Sequence, residues 1–265
     1  MERLFAETPN GLSAVRTFAM RRSNVNRRTY ANALQRRNHC RGCSVRAENA
    51  SALHFLIRER ITGYSELRQM IKGSEVRKSD HQIEPLLLDR WSPRAMSGEE
   101  ISHEELMRLF EAARWAPSSF NAQQWHALYA RRGTEHWQTF FDLLVDANKA
   151  WAKNAAVLVL FISRKNFDHN DERSVTHSYD CGAAWENFAL QGFQQGLVVH
   201  GMEGFDYDRA RKELRIPDDF QVEAMAVVGR PGPKELLPEK LQARETPNDR
   251  RKLSESVFEG PFKSK

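Results

Sequence analysis

Eight consecutive apolar residues, Ala155 to Ile162, stop at Ser163 and two cations, Arg164 and Lys165. A run of this length falls far short of the roughly 18 residues that a membrane-spanning helix needs. It is also too continuously apolar for a strand with one wet face. The run is expected to be a central strand covered on both sides, so the surrounding sequence must supply two covering layers. Ser102-His103-Glu104-Glu105 fits a capping box, and Leu106, Leu109, Phe110 and Ala113 follow at helical spacing. That helix should end before Pro117, and Trp125 to Ala130 then reads as a strand.

Thr134 to Ala147 is expected to be a second helix with Trp137, Phe140, Phe141 and Leu144 on one stripe, and Ser178 to Gln195 a long third one closed by Gly196. Strands are expected at Leu197 to His200 and Val222 to Val228. Between them a helix after Asp206 should stop before Pro217. A polar, loop-rich tail follows. Helices and strands mix without a regular βαβ repeat, which favours an α+β fold, a sheet flanked by helices.

Charge divides the chain of 265 residues unevenly. Residues 1–50 hold ten arginines, no lysine and three acids, whereas the whole chain carries only +5. Residues 1–75 show no sustained periodicity and are expected to be disordered or locally helical, with the domain in 76–265. Three readings of the extension stay open: an organellar targeting segment, a nucleic-acid-binding arm, or upstream sequence ahead of a start at Met20 or Met70. Only Phe5, Phe18 and Tyr30 interrupt its first fifty residues as aromatics, which weighs against a base-stacking surface. Three cysteines cannot form a disulfide scaffold, so a reducing, cytoplasmic location is expected, or an organellar one if the leading segment is a targeting peptide.

The chain contains neither a Walker loop nor GxGxxG, HExxH or GxSxG. His39-Cys40-Arg41-Gly42-Cys43 resembles half a zinc site, but no second pair stands at usable spacing, and His169 and Asp171 read equally well as solvated loop residues. No metal is expected.

Three separated segments suit an anionic, planar ligand. In Asp89-Arg90-Trp91-Ser92-Pro93-Arg94 two guanidiniums and a hydroxyl can converge on a phosphate, with Pro93 marking the end of a short helix. The loop Trp115 to Trp125 is dense in hydroxyls and carboxamides that can meet a ligand's polar edge. In His200-Gly201-Met202-Glu203-Gly204-Phe205-Asp206 two glycines permit a flat ring to approach the backbone, with Asp206 available as a helix N-cap. Taken singly, a solvated arginine pair, an ordinary turn and a strand-to-helix connection explain each segment.

Together the segments carry a family signature. Arg90-x-Ser92-x-Arg94, Ala112-Ala113-Arg114-Trp115-Ala116-Pro117-Ser118-Ser119-x-Asn121-x-Gln123-x-Trp125, Asn148-x-x-Trp151 and Gly201-Met202-Glu203-Gly204-Phe205-Asp206 resemble, in order and spacing, the nitroreductase family of FMN-dependent oxidoreductases. The resemblance runs from about residue 83 to the C-terminus, an ordinary size for one domain. It implies an α+β fold with a mixed sheet flanked by helices, an intertwined homodimer, and FMN at the subunit interface. It assigns Arg90, Ser92, Arg94 and Arg250 to the FMN phosphate and ribityl chain. Pro117, Ser118, Ser119, Asn121 and Gln123 would approach from the partner subunit, Asn148 would address the pyrimidine edge, and the backbone of Met202, Glu203 and Gly204 would lie beside the reactive N5. Trp151 departs from the pattern, standing where several relatives carry lysine.

The activity implied is passage of hydride from NADH or NADPH through flavin N5 to a nitroaromatic, a quinone or a similar flat electrophile, with ping-pong kinetics and no side-chain acid or base. Phe120, Phe167, Tyr179 and Phe205 are candidates for the acceptor pocket, with a core role as the alternative for each. A non-catalytic flavin-binding protein of the same fold is the rival reading, and a nucleic-acid-associated protein acting through the basic arm a weaker one.

Overall fold

The apolar run forms β2 (Val157–Arg164), the strand about which a four-stranded antiparallel sheet is built. The computed structural model describes residues 70–262, all within the larger of two units of the chain, Arg58–Lys265. The Arg-rich segment up to residue 69 and the His39, Cys40 and Cys43 group lie outside the described residues. The sheet order is β1-β2-β4-β3, with β1 at Trp125–Arg131, β3 at Val198–Met202 and β4 at Phe220–Gly229.

Successive β2 side chains enter two different cores, as alternation on a pleat requires. Leu158, Leu160 and Ile162 pack with Phe140, Leu144, Trp151, Phe205 and Met225. Val157, Val159 and Phe161 pack with Leu106, Leu109, Ala184 and Phe188. The run is apolar throughout because neither face meets water, and the α+β arrangement expected from it is what the chain adopts.

The second core is closed by two helices, α2 (His103–Arg114), which follows the short α1 (Pro85–Asp89), and the later α5 (His177–Gln194). The Ser102 hydroxyl accepts from Glu105 N at 3.1 Å while the Glu105 carboxylate accepts from Ser102 N at 2.8 Å, so the capping box starts α2 as expected. That backbone hydrogen bond, assisted by Arg230 at 2.7 Å, holds the Glu105 carboxyl below the ordinary range and ties α2 to the end of β4.

Helix α5 ends where its glycine indicated. Gly196 adopts φ +69°, Leu197 N donates to Gly192 O and Gly196 N to Phe193 O, each at 2.9 Å, the paired bonds of a Schellman cap. Gly192 has a second task. A Cβ there would stand 2.3 Å from Val199 Cγ2, so the missing side chain lets α5 settle onto β3.

The single helix expected over Thr134 to Ala147 is instead two, α3 (Trp137–Asp142) and α4 (Asp146–Ala152). Backbone groups between them bond elsewhere: Val145 N donates to Gly204 O at 3.1 Å and Asp206 N to Leu143 O at 2.9 Å. Leu144 thereby forms a bridge with Phe205, and the helical ladder is interrupted by a tertiary partner that the apolar stripe does not reveal.

Strand β3 runs two residues beyond His200, and β4 begins earlier than Val222. Asp206 caps α6 (Tyr207–Glu213), its carboxylate accepting from Arg209 N at 2.9 Å. The tail holds only a short helix, α7 (Glu239–Gln242), and brief 3-10 turns. Among the described residues no helix is long and apolar enough to cross a membrane.

Candidate active site

Helix α1 ends at Asp89, ahead of Pro93, and the chain from Arg90 onward is extended. In extended backbone alternate residues share a side. Pro93 and Ala95 are buried, whereas Arg90, Ser92 and Arg94 face a cavity of about 610 Å³, which the buried Trp91 also borders. Arg250 reaches the same cavity from the C-terminal segment, so the four residues assigned to a phosphate lie together. Arg77, Arg244 and Trp185 also line it and belong to none of the expected segments, and His200, at the head of the third segment, lines it too. Five guanidiniums face this space and no carboxylate lines it, so its charge suits an anion. Glu186 stands 3.2 Å from Arg90 Nε at its margin.

Arg77 holds the cavity's wall together. Its guanidinium donates to Asn248 O at 2.6 Å, Arg90 O at 2.9 Å and Leu88 O at 3.1 Å, joining three segments. Burial, then the charges of Arg250 and Arg90, lower its pKa from the ordinary arginine value. Glu245 Oε1 accepts from Arg94 N and Ala95 N at 2.7 and 2.8 Å, pinning the extended segment to the tail.

His200 donates through Nδ1 to Pro93 O at 3.0 Å and lies 4.8 Å from the Trp151 ring. Burial, then the Arg94 charge, push the imidazole from 6.5 down to about 4, against the pull of the Pro93 and Ser92 backbone. The folded value is the lower one, so this contribution to stability is complete above pH 6.5 and is lost as pH falls toward about 4. The full loss is about 3 kcal/mol, since each unit of pKa is worth about 1.4 kcal/mol. In His200→Asn the difference in unfolding free energy between about pH 7 and pH 5 should shrink by about 2 kcal/mol. Urea titrations at both values check this, and an unchanged difference would refute it.

Trp151, the departure from the family pattern, is buried, with the Arg94 guanidinium 5.8 Å from its ring centroid. Position 151 therefore contributes packing, and the cation beside it is Arg94.

A second cavity, about 510 Å³, lies between α5 and the sheet. Its floor is apolar, including Phe161, Gly201, Met202 and Ala224, and Glu203, Glu223, Tyr207 and Ser178 add polar groups. Trp185 lines both cavities, and its buried indole N–H has no hydrogen-bond partner. Gly201 is needed here, because a Cβ would stand 2.9 Å from that indole. Cys181 also lines the cavity, but burial and the charges of Glu223 and Asp180 push its thiol up to about 12, so it is no nucleophile at neutral pH.

The remaining candidates are placed differently. Asn148 Nδ2 donates to Gly204 O at 3.0 Å, and neither residue lines either of these two cavities. Gly204 is required there, since a Cβ would come 2.7 Å from that amide nitrogen. Pro117, Ser118, Ser119, Asn121 and Gln123 line neither cavity. Their loop is strained: Phe120, Asn121 and Gln123 have φ of 52°, 53° and 49°. It is held by Ser119 N donating to Asp180 at 3.0 Å and Gln123 N donating to Ser118 Oγ at 3.0 Å. Of the aromatic candidates, Phe205 is a core residue stacked on Tyr207 at 4.0 Å. Phe120 and Tyr179 are exposed, and Phe167 packs edge-on against Phe120. Among the described residues no three His, Cys, Asp or Glu side chains gather as a metal site.

The nitroreductase family profile matches residues 87–136 and 130–230. A crystal structure described as an oxidoreductase containing FMN shares 43% of its sequence over 71% of this chain and 97% of that one, with a TM-score of 0.68. A nitroreductase from Desulfovibrio desulfuricans, described in complex with FMN, is 23% identical over 69% of this chain and all of its own, with a TM-score of 0.54, a likeness of fold. A 15.4 kDa protein of Mycolicibacterium smegmatis is 28% identical over 127 residues, 46% of this chain and 84% of that protein. The chain belongs to the nitroreductase family.

Proposed function

We propose that this protein is an FMN-dependent oxidoreductase, a homodimer that takes hydride from NADH or NADPH and delivers it, in ping-pong fashion, to a nitroaromatic, a quinone or a similar flat acceptor. One observation carries the reading: Arg90, Ser92, Arg94 and Arg250, drawn from opposite ends of the domain, border a single cationic cavity, and Trp185 lines both that cavity and the apolar one bordered by Met202 and Glu203.

The residues present fit the cofactor. A phosphate monoester suits the guanidinium cluster, and the buried, unpartnered indole N–H of Trp185, a residue that lines both cavities, offers a donor to a bound ligand. Arg90, Ser92, Arg94 and Arg250 would hold the phosphate and ribityl chain, and the Met202-Glu203-Gly204 backbone would border the ring. FMN when bound supplies the hydride chemistry. Arg77 keeps the phosphate wall assembled, and the apolar floor of the second cavity excludes water from a ring lying on it.

Asn148 is positioned by Gly204 at the end of this backbone segment, in keeping with a role at the pyrimidine edge. The Pro117–Gln123 loop borders neither cavity of its own protomer, which suits a contribution to the partner's flavin. Trp115, Phe120, Val175 and Tyr179, exposed by 72%, 84%, 89% and 80%, are large apolar surfaces that a second copy would cover.

The purified full chain should be yellow or should quench the fluorescence of added FMN, sediment as a dimer, and bleach anaerobically with NADH or NADPH. A colourless protein that takes up no FMN would overturn the reading. Flavin that stays oxidised with both nucleotides would leave a binding protein in place of an enzyme.

A further inference from the structure

A break in strand register places a carboxylate in the second cavity. β2 and β4 pair residue for residue from Val157↔Val228 to Phe161↔Ala224, and the next pair is Ile162↔Val222. Glu223 is thus the extra residue of a β-bulge, a device that re-aims a side chain. Its carboxylate turns toward the first turn of α5, and Glu223 also borders the cavity with Met202, Glu203 and Tyr207.

The carboxylate is the end of a chain of polar groups. Glu223 Oε1 accepts from Ser163 Oγ, and from Ser178 Oγ at 2.7 Å. Ser163 Oγ lies 2.7 Å and Ser178 Oγ 3.2 Å from His177 Nδ1, whereas the imidazole is 3.6 Å from Glu223 itself. Ser163 is fully buried. A hydroxyl donates one proton while accepting another bond. With Nδ1–H donating to Ser163 and Ser163 donating to Glu223, two hydrogen bonds link imidazole to carboxylate. Both ends reach the surface or the cavity, the His177 and Glu223 side chains being 12% and 21% exposed.

We propose that His177, Ser163 and Glu223 form a proton relay, and that Glu223 is the acid that protonates the electron acceptor bound in this cavity. The inference rests on the flavin reading above. Two-electron reduction of a quinone takes one hydride and one proton to give the hydroquinone, and of a nitro group the same pair to give a nitroso group and water. The hydride originates in the nicotinamide nucleotide and reaches the acceptor through the bound flavin. The His177 Nδ1 proton passes to Ser163 as the Ser163 proton passes to Glu223, and the Glu223 O–H bond so formed breaks as a new O–H bond forms on the acceptor. The carboxylate is then back in its starting form, and the imidazole regains its proton from water. A positioned acid of this kind contributes about a hundredfold or more.

Glu223→Gln keeps the acceptor oxygen for both serines but has no acidic proton. With p-benzoquinone as acceptor, reoxidation of the reduced full-length holoprotein should slow at least tenfold in Glu223→Gln and in the double variant Ser163→Ala with Ser178→Ala, which removes both bridging hydroxyls. Anaerobic bleaching by NADH or NADPH should stay within about twofold of the unaltered chain, because that step uses no carboxyl proton. A second readout needs no flavin: in chain labelled with ¹⁵N-histidine, a slowly exchanging imidazole N–H resonance should be present and should vanish when Ser163→Ala is combined with Ser178→Ala, which removes both hydroxyls within reach of Nδ1. Normal reoxidation in Glu223→Gln, or absence of the protected imidazole proton, overturns the relay while leaving the flavin reading intact. A chain that takes up no FMN overturns that reading and, with it, the relay's role.

Discussion

Flavin-free, folded protein is the expected product of replacing Arg90 and Arg94 together by alanine. Both side chains face the cationic cavity from alternate positions of an extended segment whose own fold depends on backbone bonds to Arg77 and Glu245 and on the buried side of Trp91 and Ala95. None of those supports is a guanidinium of residue 90 or 94. The variant therefore loses ligand contacts and leaves the Glu186 carboxylate without its arginine, but that group is 37% exposed and can be hydrated. A charge-assisted hydrogen bond contributes about 1.5–3 kcal/mol, so two such partners are worth about 3–6 kcal/mol of FMN affinity. That corresponds to a loss of roughly a hundred- to ten-thousandfold, readable by quenching of FMN fluorescence on titration. Retention of FMN within about threefold of the unaltered affinity would place the phosphate elsewhere.

Replacement of Phe188 by alanine should have the largest effect on stability. Its ring is fully buried in the core shared by α2, α5 and the sheet, with the Phe110 ring 5.1 Å and the Phe161 ring 5.5 Å away. Truncating such a ring costs about 3–5 kcal/mol through lost burial and the void left behind, a large part of the 5–15 kcal/mol typical of a whole domain. The same helix carries Trp185 and Cys181, which line the second cavity, so its loosening should also weaken flavin retention. Phe262→Ala is the control, since that ring is 83% exposed and its removal should fall within about 0.5 kcal/mol. Urea denaturation of both variants distinguishes them, and a shift below about 1 kcal/mol for Phe188→Ala would show that the core closes over the gap.

Elements whose signals are local were legible before any coordinates. The Ser102–Glu105 box, the Gly196 cap and the Asp206 cap each involve a few adjacent residues, and the hydrogen bonds they make follow from those residue types. The continuous apolar run of β2 likewise announced two covered faces. The apolar stripe of 134–147 misled, because Leu143 and Val145 bond to Asp206 and Gly204, and no pattern within the stripe encodes a partner some sixty positions away. At the candidate site, Arg90, Ser92, Arg94 and Arg250 were found through a motif. Arg77 and Arg244 sit in no motif, and Glu223 reads as an ordinary strand residue until the bulge is seen.

What the sequence determined by itself is therefore most of the elements and the ends that carry a local cap, because capping, alternation and helical spacing act over one or two turns. Which side chains share a cavity was decided by the tertiary structure. Arg77 meets Asn248 across 171 positions, and a one-residue slip between β2 and β4 turns Glu223 toward Ser163 and His177. Such meetings depend on register and packing between distant segments, and a linear order of residues holds no local energy term that selects them.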